Sequence, residues 1–285
     1  MDERLAAGLR GIPDEGVFTP ESVSWRVHAD PAMGLAGLRA LMLQALHPLA
    51  MAGVAEHSAY REDPWGRLYR TAFFIGAVTY GTGDEAREVL ERVHRVHRRV
   101  RGTDPATGRP YRADDPDLLV WVHCSEVASF LDVVRRAGLR LTDGEADAYL
   151  REQAAVARLV GVPPHHPVPE STASLDGYFR QVRPELLATP AARAALRFAF
   201  VPPFPALARW ATPVRPAWCG LAALAFALLP GWARRMYGLP GWTVTDLAAT
   251  AEARVVRAGL LRLPGGLREG PHLVAARRRW AAVAR

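Results

Sequence analysis

The chain has 285 residues, 49% hydrophobic and 23% charged, the proportions of a folded protein and not of a disordered one. Its formal charge is +7 and it contains no lysine, but its arginines run the whole length among Asp and Glu, without helix-turn-helix or zinc-finger spacing, so no nucleic-acid partner is expected. Two cysteines, Cys124 and Cys219, cannot build a disulfide framework or a Cys-rich zinc site, and the absence of C-x-x-C-H excludes covalently attached haem.

Helical signals dominate in chain order. The opening MDERLAAGLRG lacks the apolar core of a signal peptide. Leu35, Leu38, Leu41, Met42 and Leu46 recur at helical spacing, and His47-Pro48 interrupts or kinks that helix. Asp63-Pro64 supplies an N-cap and a first-turn proline for a helix over 65–80. A further helix covers 84–101, then comes a turn rich in Gly, Pro and Asp, then a helix over 116–136 that stops at Gly138. Thr142-x-x-Glu145 is a capping box that opens a helix to about 160, and GVPPHHPVPES after it reads as a solvent-exposed loop. Shorter helices are expected at 172–188 and 190–200, then a proline-rich bend, an apolar helix over 217–229 and a last helix over 243–261. No alternating strand run is evident. The longest uncharged run, 216–233, is broken by Gly220, Pro230 and Gly231, whereas a membrane span needs roughly 20 mostly apolar residues. It reads as a core helix or a shallow membrane-facing element, with no stable span. The expected fold is all-α, one helical domain over 1–285 with a helical part over 140–285, and the expected location is cytoplasmic, or peripheral at a membrane.

Chemistry concentrates in two stripes. On a wheel of about 100° per residue, Ala86, Val89, Leu90, Val93, Val96 and Val100 share a face; His97 falls within it and His94 at its edge. A histidine on an apolar face is either a satisfied core residue or a neutral imidazole suited to a metal. On 65–80, Arg67, Thr71, Phe74 and Val78 share a face. An inward arginine either snorkels to the surface or meets an anion in a pocket. His47 and His57 flank the apolar segment HPLAMAGVAEHS, and His123 stands in WVHC; helices bring such residues to one cavity or leave them apart. His28 and His272 carry no supporting pattern. Glu91-x-x-His94 has no second copy, as a di-iron site requires, and H-E-x-x-H, G-x-S-x-G, P-loop and G-x-G-x-x-G motifs are absent.

The stretches ALHPLAMAGVAEHSAYREDPWGRLYRTAFF and GTGDEAREVLERVHRVHRRVRGTDPATGRPYRADDPDLLVWVH, with the long helical tail, resemble the rubber oxygenase (latex-clearing protein) family and the related fungal MpaB-type oxygenases of mycophenolic acid biosynthesis. The shared features are, in order, HP, H-S, D-P-x-x-R-x-x-x-T, V-H-x-x-H, G-x-x-Y-x-A and W-V-H, densest over 35–125. The resemblance implies a globin-like helical core around non-covalent haem b, with the second histidine of the H-x-x-H pair, His97, as iron ligand. It also implies an Arg–Thr pair in the haem pocket, matched by Arg67 and Thr71, with Arg67 orienting oxygen, a substrate group or a propionate. Two departures stand out. The rubber-cleaving members use a Glu upstream of that arginine where this chain has Leu49, Ala50, Met51 and Ala52, and a Lys before the Thr where it has Arg70, which stays protonated.

The resulting expectation is a haem-dependent oxygenase that oxidises or oxidatively cleaves a hydrophobic terpenoid, prenyl or polyketide-like substrate with O2. His97 is the metal ligand; Arg67, Thr71 and His57 are the catalytic candidates; and His94 and His123 are further cofactor contacts. The rival readings are a non-catalytic haem or hydrophobic-ligand binding protein and a metal-free helical protein.

Overall fold

A computed structural model describes residues 3–203 and 214–283. The chain runs as α1 (Glu3–Arg10), α2 (Val23–His28), α3 (Met33–Gln44), α4 (Pro48–His57), α5 (Pro64–Tyr80), α6 (Gly83–His97), a hairpin of β1 (Arg101–Thr103) and β2 (Pro110–Arg112), α7 (Pro116–Arg136), α8 (Asp143–Val160), α9 (Thr172–Val182), α10 (Pro190–Phe200), α11 (Val214–Ala227), α12 (Gly231–Met236), α13 (Thr243–Leu261), α14 (Gly265–Arg268) and α15 (Pro271–Val283). The fold is all-α apart from the hairpin. The proline-rich bend expected after 200 falls largely on 204–213, outside the described residues.

Local chemistry sets the helix starts. Asp63 caps α5 by accepting from Gly66 N at 2.9 Å, with Pro64 in the first turn, where its missing N–H has no partner to lose. Thr142 and Glu145 close the expected capping box on α8, and Thr82 with Glu85 makes a second one on α6. Pro48 cannot continue α3, so the chain turns at His47 and α3 and α4 are separate helices bent by 107°. Among the described residues no single helix is long and apolar enough to cross a membrane.

The core is α3 against α7, with α11 packed on α3 and α13. Leu35, Leu38, Met42 and Leu46 are buried there with Trp121, Val127 and Phe130, as the spacing in 35–46 requires. The apolar run resolves into this core: Ala222, Leu224, Ala225 and Phe226 of α11 are buried. A second cluster joins Leu9, Ile12 and Phe18 to Ala77 and Val78 of α5 and Ala86, Val89 and Leu90 of α6.

Three expectations are corrected. A short antiparallel hairpin follows α6, with Gly102 paired to Tyr111, where no strand was expected. It survives because Tyr111 is buried against Leu49, Ala52 and Leu118. The helix over 84–101 ends at His97, which leaves Val96 53% exposed instead of inward. Leu261 does not end the fold: α15 follows and packs on α5, where His272 lies edge-on to Phe73 with ring centres 4.6 Å apart. That approach requires Gly76, since a Cβ there would lie 2.8 Å from His272 Cδ2.

Candidate functional site

The two histidines of α6 differ from expectation in burial: His94 is the more deeply buried and His97 keeps some free surface. His94 is not at the edge but buried, 7% exposed, and its Nε2 lies 2.8 Å from Leu159 O at the end of α8. The ring rests against Gly161, whose φ of +122° ends α8 in a conformation that side chains rarely adopt. Burial lowers the His94 pKa first, so it is a neutral core histidine that ties α6 to α8. The wheel gave its direction but not the arrival of α8 on that side.

His97, one turn on, points inward without being sealed. Its Nδ1 is enclosed and has no hydrogen-bond partner among the described residues, while the ring as a whole keeps some free surface. Burial is the main cause of a pKa lowered to about 4, helped by His94, so the imidazole is neutral and its lone pair available at pH 7. A neutral imidazole without an internal partner suits an iron ligand better than His94 does.

On α5, Arg67 extends inward. Its Nη1 donates to Ser58 Oγ at 2.8 Å and its guanidinium stands 6.0 Å from the Tyr60 ring centre. No carboxylate lies within ion-pair distance of it among the described residues, and burial is the main cause of a lowered pKa. A deep cation without a carboxylate is costly unless an anion is brought to it. Thr71 shares this side of α5 but is exposed rather than inward, and its hydroxyl donates to Arg67 O at 3.1 Å. The reason is local: a threonine inside a helix finds the carbonyl one turn back within reach. Arg70 is turned outward to Asp63 at 3.1 Å.

The remaining candidates separate. His123 faces inward from α7, its Nε2 enclosed without a partner among the described residues, and burial and then Arg158 lower its pKa to about 4. His57 instead ends α4 at the surface, edge-on to Tyr111 and 3.9 Å from Glu56, whose carboxylate accepts from the Tyr111 hydroxyl. His47 caps the break before α4, buried beside Trp121. Of the loop pair, His165 is exposed, but His166 reaches Asp117 at 3.1 Å. The 49–52 stretch is mostly buried and carries no carboxylate.

Two residues absent from the expectation join the site. Glu126 lies on the stripe of α7 that carries Leu119, His123 and Phe130, at i, i+4, i+7 and i+11, and burial raises its pKa to about 7. It is the lone acid between Asp117 and Asp132, a signal visible once α7 is drawn as a wheel. His28 ends α2 edge-on to Phe130, its Nδ1 2.8 Å from Thr79 Oγ1 and its Nε2 3.1 Å from the Tyr149 hydroxyl. No pattern in the sequence points to it, because all three contacts come from distant helices.

His28, Arg67, His97, His123 and Glu126 share one property: burial dominates the protonation of each, yet each keeps part of its surface free. Side chains surrounded by protein but not covered by it line an interior space. The α7 stripe runs from Leu119, against Gly161 beside His94, through His123 and Glu126 to Phe130, against His28. α2 packs on α5, α7 and α8.

Among the described residues no cluster of three or more His, Cys, Asp or Glu could hold a metal ion by itself. A group held by one imidazole needs none.

A family model described as "ER-bound oxygenase mpaB/B'/Rubber oxygenase, catalytic domain" matches residues 25–260. A solved structure of latex clearing protein in its closed state covers 96% of this chain, with 82% of its own length aligned, at 17% identity and a TM-score of 0.57, a likeness in fold. No curated protein matches the sequence.

Proposed function

The chain belongs to the catalytic-domain family of the ER-bound oxygenase mpaB/B' and the rubber oxygenases, and from that premise we propose that it is a haem b-dependent oxygenase acting on a hydrophobic terpenoid, prenyl or polyketide-like molecule. Two observations support the cofactor: a neutral imidazole, His97, whose Nδ1 has no hydrogen-bond partner among the described residues, and an inward guanidinium, Arg67, with no carboxylate within ion-pair distance there. A haem has the complementary parts, an iron that takes an imidazole and anionic propionates that take an arginine. Held through His97, such a group would supply the O2 activation that the protein's side chains cannot.

The chain's own residues do the rest. His97 stays unprotonated well below pH 7, so no proton competes for its lone pair. Arg67 stays charged and is held by Ser58, aimed at an anion. The exposed Thr71 hydroxyl donates to Arg67 O and so fixes its own rotamer on the Arg67 turn of α5. Arg70 is turned outward to Asp63 and would not take part in holding the group. Phe74 and Ile75, partly buried on α5, keep the neighbouring wall apolar, which suits a hydrophobic substrate.

The test is to express the protein with a haem precursor and record oxidised and dithionite-reduced spectra. Near-stoichiometric haem is expected in the wild type, a loss of most haem in His97→Ala, and weakened haem retention in Arg67→Met. A protein that stays colourless after reconstitution, or a His97→Ala variant with full haem, overturns the cofactor reading. Oxygen uptake with prenyl alcohols and polyisoprene then separates turnover from binding alone.

A further inference from the structure

The C-terminal part of the chain carries both the molecule's excess charge and an apolar helix face that the described residues leave uncovered. Between residues 214 and 283 stand ten arginines and three acids, an excess of seven that equals the formal charge of the whole chain. Two of those acids are engaged within the fold: Asp246 lies 2.7 Å from Arg234, and Glu269 lies 2.8 Å from Arg277. Glu252, exposed on α13, is the one acid of the three with no ion pair among the described residues.

α13 is packed with its large apolar residues outward. Its inner face buries Ala249 and Ala253 and is otherwise held by polar contacts. Arg257 lies 2.7 Å from Asp30, Arg136 Nε donates to Thr250 Oγ1 at 2.9 Å, and Arg136 Nη2 donates to Asp246 O at 2.8 Å. Turning the helix about its axis would break these bonds, so its outward face is fixed. That face carries Val244, Leu247, Ala248, Ala251, Val255 and Ala258, all exposed, within about 100° of arc. Leu247 and Val255 are 68% and 72% exposed. The one charged residue on the same arc is Arg262, at its C-terminal end. At the other end stands Trp242, 65% exposed, and Arg235 lies against the neighbouring Gly241. Neither Arg235 nor Arg262 makes an ion pair among the described residues.

We propose that the outward face of α13 docks on an anionic membrane surface, with the helix lying in the plane of the headgroups. The proposal does not rest on the cofactor reading. An exposed apolar stripe on a fixed helix marks a contact surface, and its charge selects the occupant. A two-fold contact between copies would set arginine against arginine with Glu252 as the one free acid, and a cationic patch does not complement itself. A layer of anionic headgroups over acyl chains complements both parts: its phosphates and carboxylates take Arg235 and Arg262, and the acyl boundary takes Leu247 and Val255. Trp242, an apolar body with one N–H, suits the same boundary. Asp246, Glu252, Arg254 and Arg257 keep α13 along the bilayer and not across it.

The test mixes the full chain with vesicles of phosphatidylcholine containing about one quarter phosphatidylserine, and separates bound from free protein by sedimentation. Binding is expected to the mixed vesicles, about tenfold or more weaker to phosphatidylcholine alone, and falling as salt rises. The double variant Leu247→Gln, Val255→Gln is expected to bind about tenfold or more weakly, through lost apolar burial. Arg235→Gln with Arg262→Gln should cost about as much, each arginine near the surface contributing about fivefold. Leu187→Gln, a change at a residue 50% exposed between α9 and α10, is expected to leave binding unchanged. All these side chains are exposed, so the variants keep the wild-type circular dichroism and Tm. Brominated acyl chains are expected to quench tryptophan fluorescence, with part of that quenching lost in Trp242→Phe. Equal binding to the two kinds of vesicle, binding unchanged in Leu247→Gln, Val255→Gln, or quenching unchanged in Trp242→Phe overturns the proposal. So does a dimer in sedimentation equilibrium that dissociates in the same double variant while vesicles are not bound. A colourless protein that still binds vesicles in this way sinks the cofactor reading alone and leaves the docking surface standing.

Discussion

Replacing His94 and His97 in turn by alanine should separate stability from cofactor binding. In the haem-free protein at about pH 7.5, where both imidazoles are neutral, His94→Ala removes a 2.8 Å bond to Leu159 O and the ring that fills the space beside Gly161. A buried hydrogen bond is worth about 1 kcal/mol and the cavity adds to it, so a loss of about 2–4 kcal/mol is expected. His97→Ala removes a ring with no internal hydrogen bond and relieves an enclosed, unpartnered Nδ1. Its expected effect is about 1 kcal/mol or less. Urea unfolding followed by far-ultraviolet circular dichroism measures both. Haem content per folded molecule, read as the pyridine complex, should move the other way, retained in His94→Ala and lost in His97→Ala. Equal destabilisation by the two variants, or haem lost with His94 and kept without His97, would refute the division of labour between these residues.

Gly76→Ala should loosen α15 from α5, because the added Cβ meets His272 Cδ2 at 2.8 Å; a loss of about 1–3 kcal/mol is expected, partly restored by adding His272→Ala. Thermal melts of the two singles and the double measure it, and strict additivity would contradict the clash. Acid should destabilise the haem-free protein well before its surface carboxylates titrate. His28 has a folded pKa of about 3, and His47, His97 and His123 about 4, against 6.5 unfolded, so each loses stability as pH falls from 6.5 toward 4, at about 1.4 kcal/mol per pH unit. Glu126 acts oppositely, its raised pKa of about 7 withdrawing stability as pH rises from 4.5, but one carboxyl does not balance four imidazoles. A Tm that stays flat between about pH 6.5 and 4.5 would show that the histidines are not shielded as the structure places them.

Much of this protein was determined by neighbours along the chain. The starts of α5 and α8 lie where Asp63-Pro64 and Thr142-x-x-Glu145 put them, and α7 spans the same residues, 116–136, that its apolar spacing marks. Such signals are legible because a helix cap or an apolar face is set within four residues of itself. The candidates Arg67 and His97 were visible too, as polar groups on faces that are otherwise apolar, whereas His123 was visible only as a histidine in WVHC. Tertiary structure decided the rest. Whether His94 or His97 is satisfied depends on α8 delivering Leu159 to one and no partner to the Nδ1 of the other. The β1–β2 strands are too short for alternation to show and exist because Tyr111 finds a place against α4. α15 lies beyond the last strong signal and is held by its contact with Gly76. His28 and Glu126 enter the site only once α2, α7 and α8 meet around it. A sequence sets which face of a helix must be covered, but a recess is the place where cover does not arrive, and that is settled by how distant helices pack.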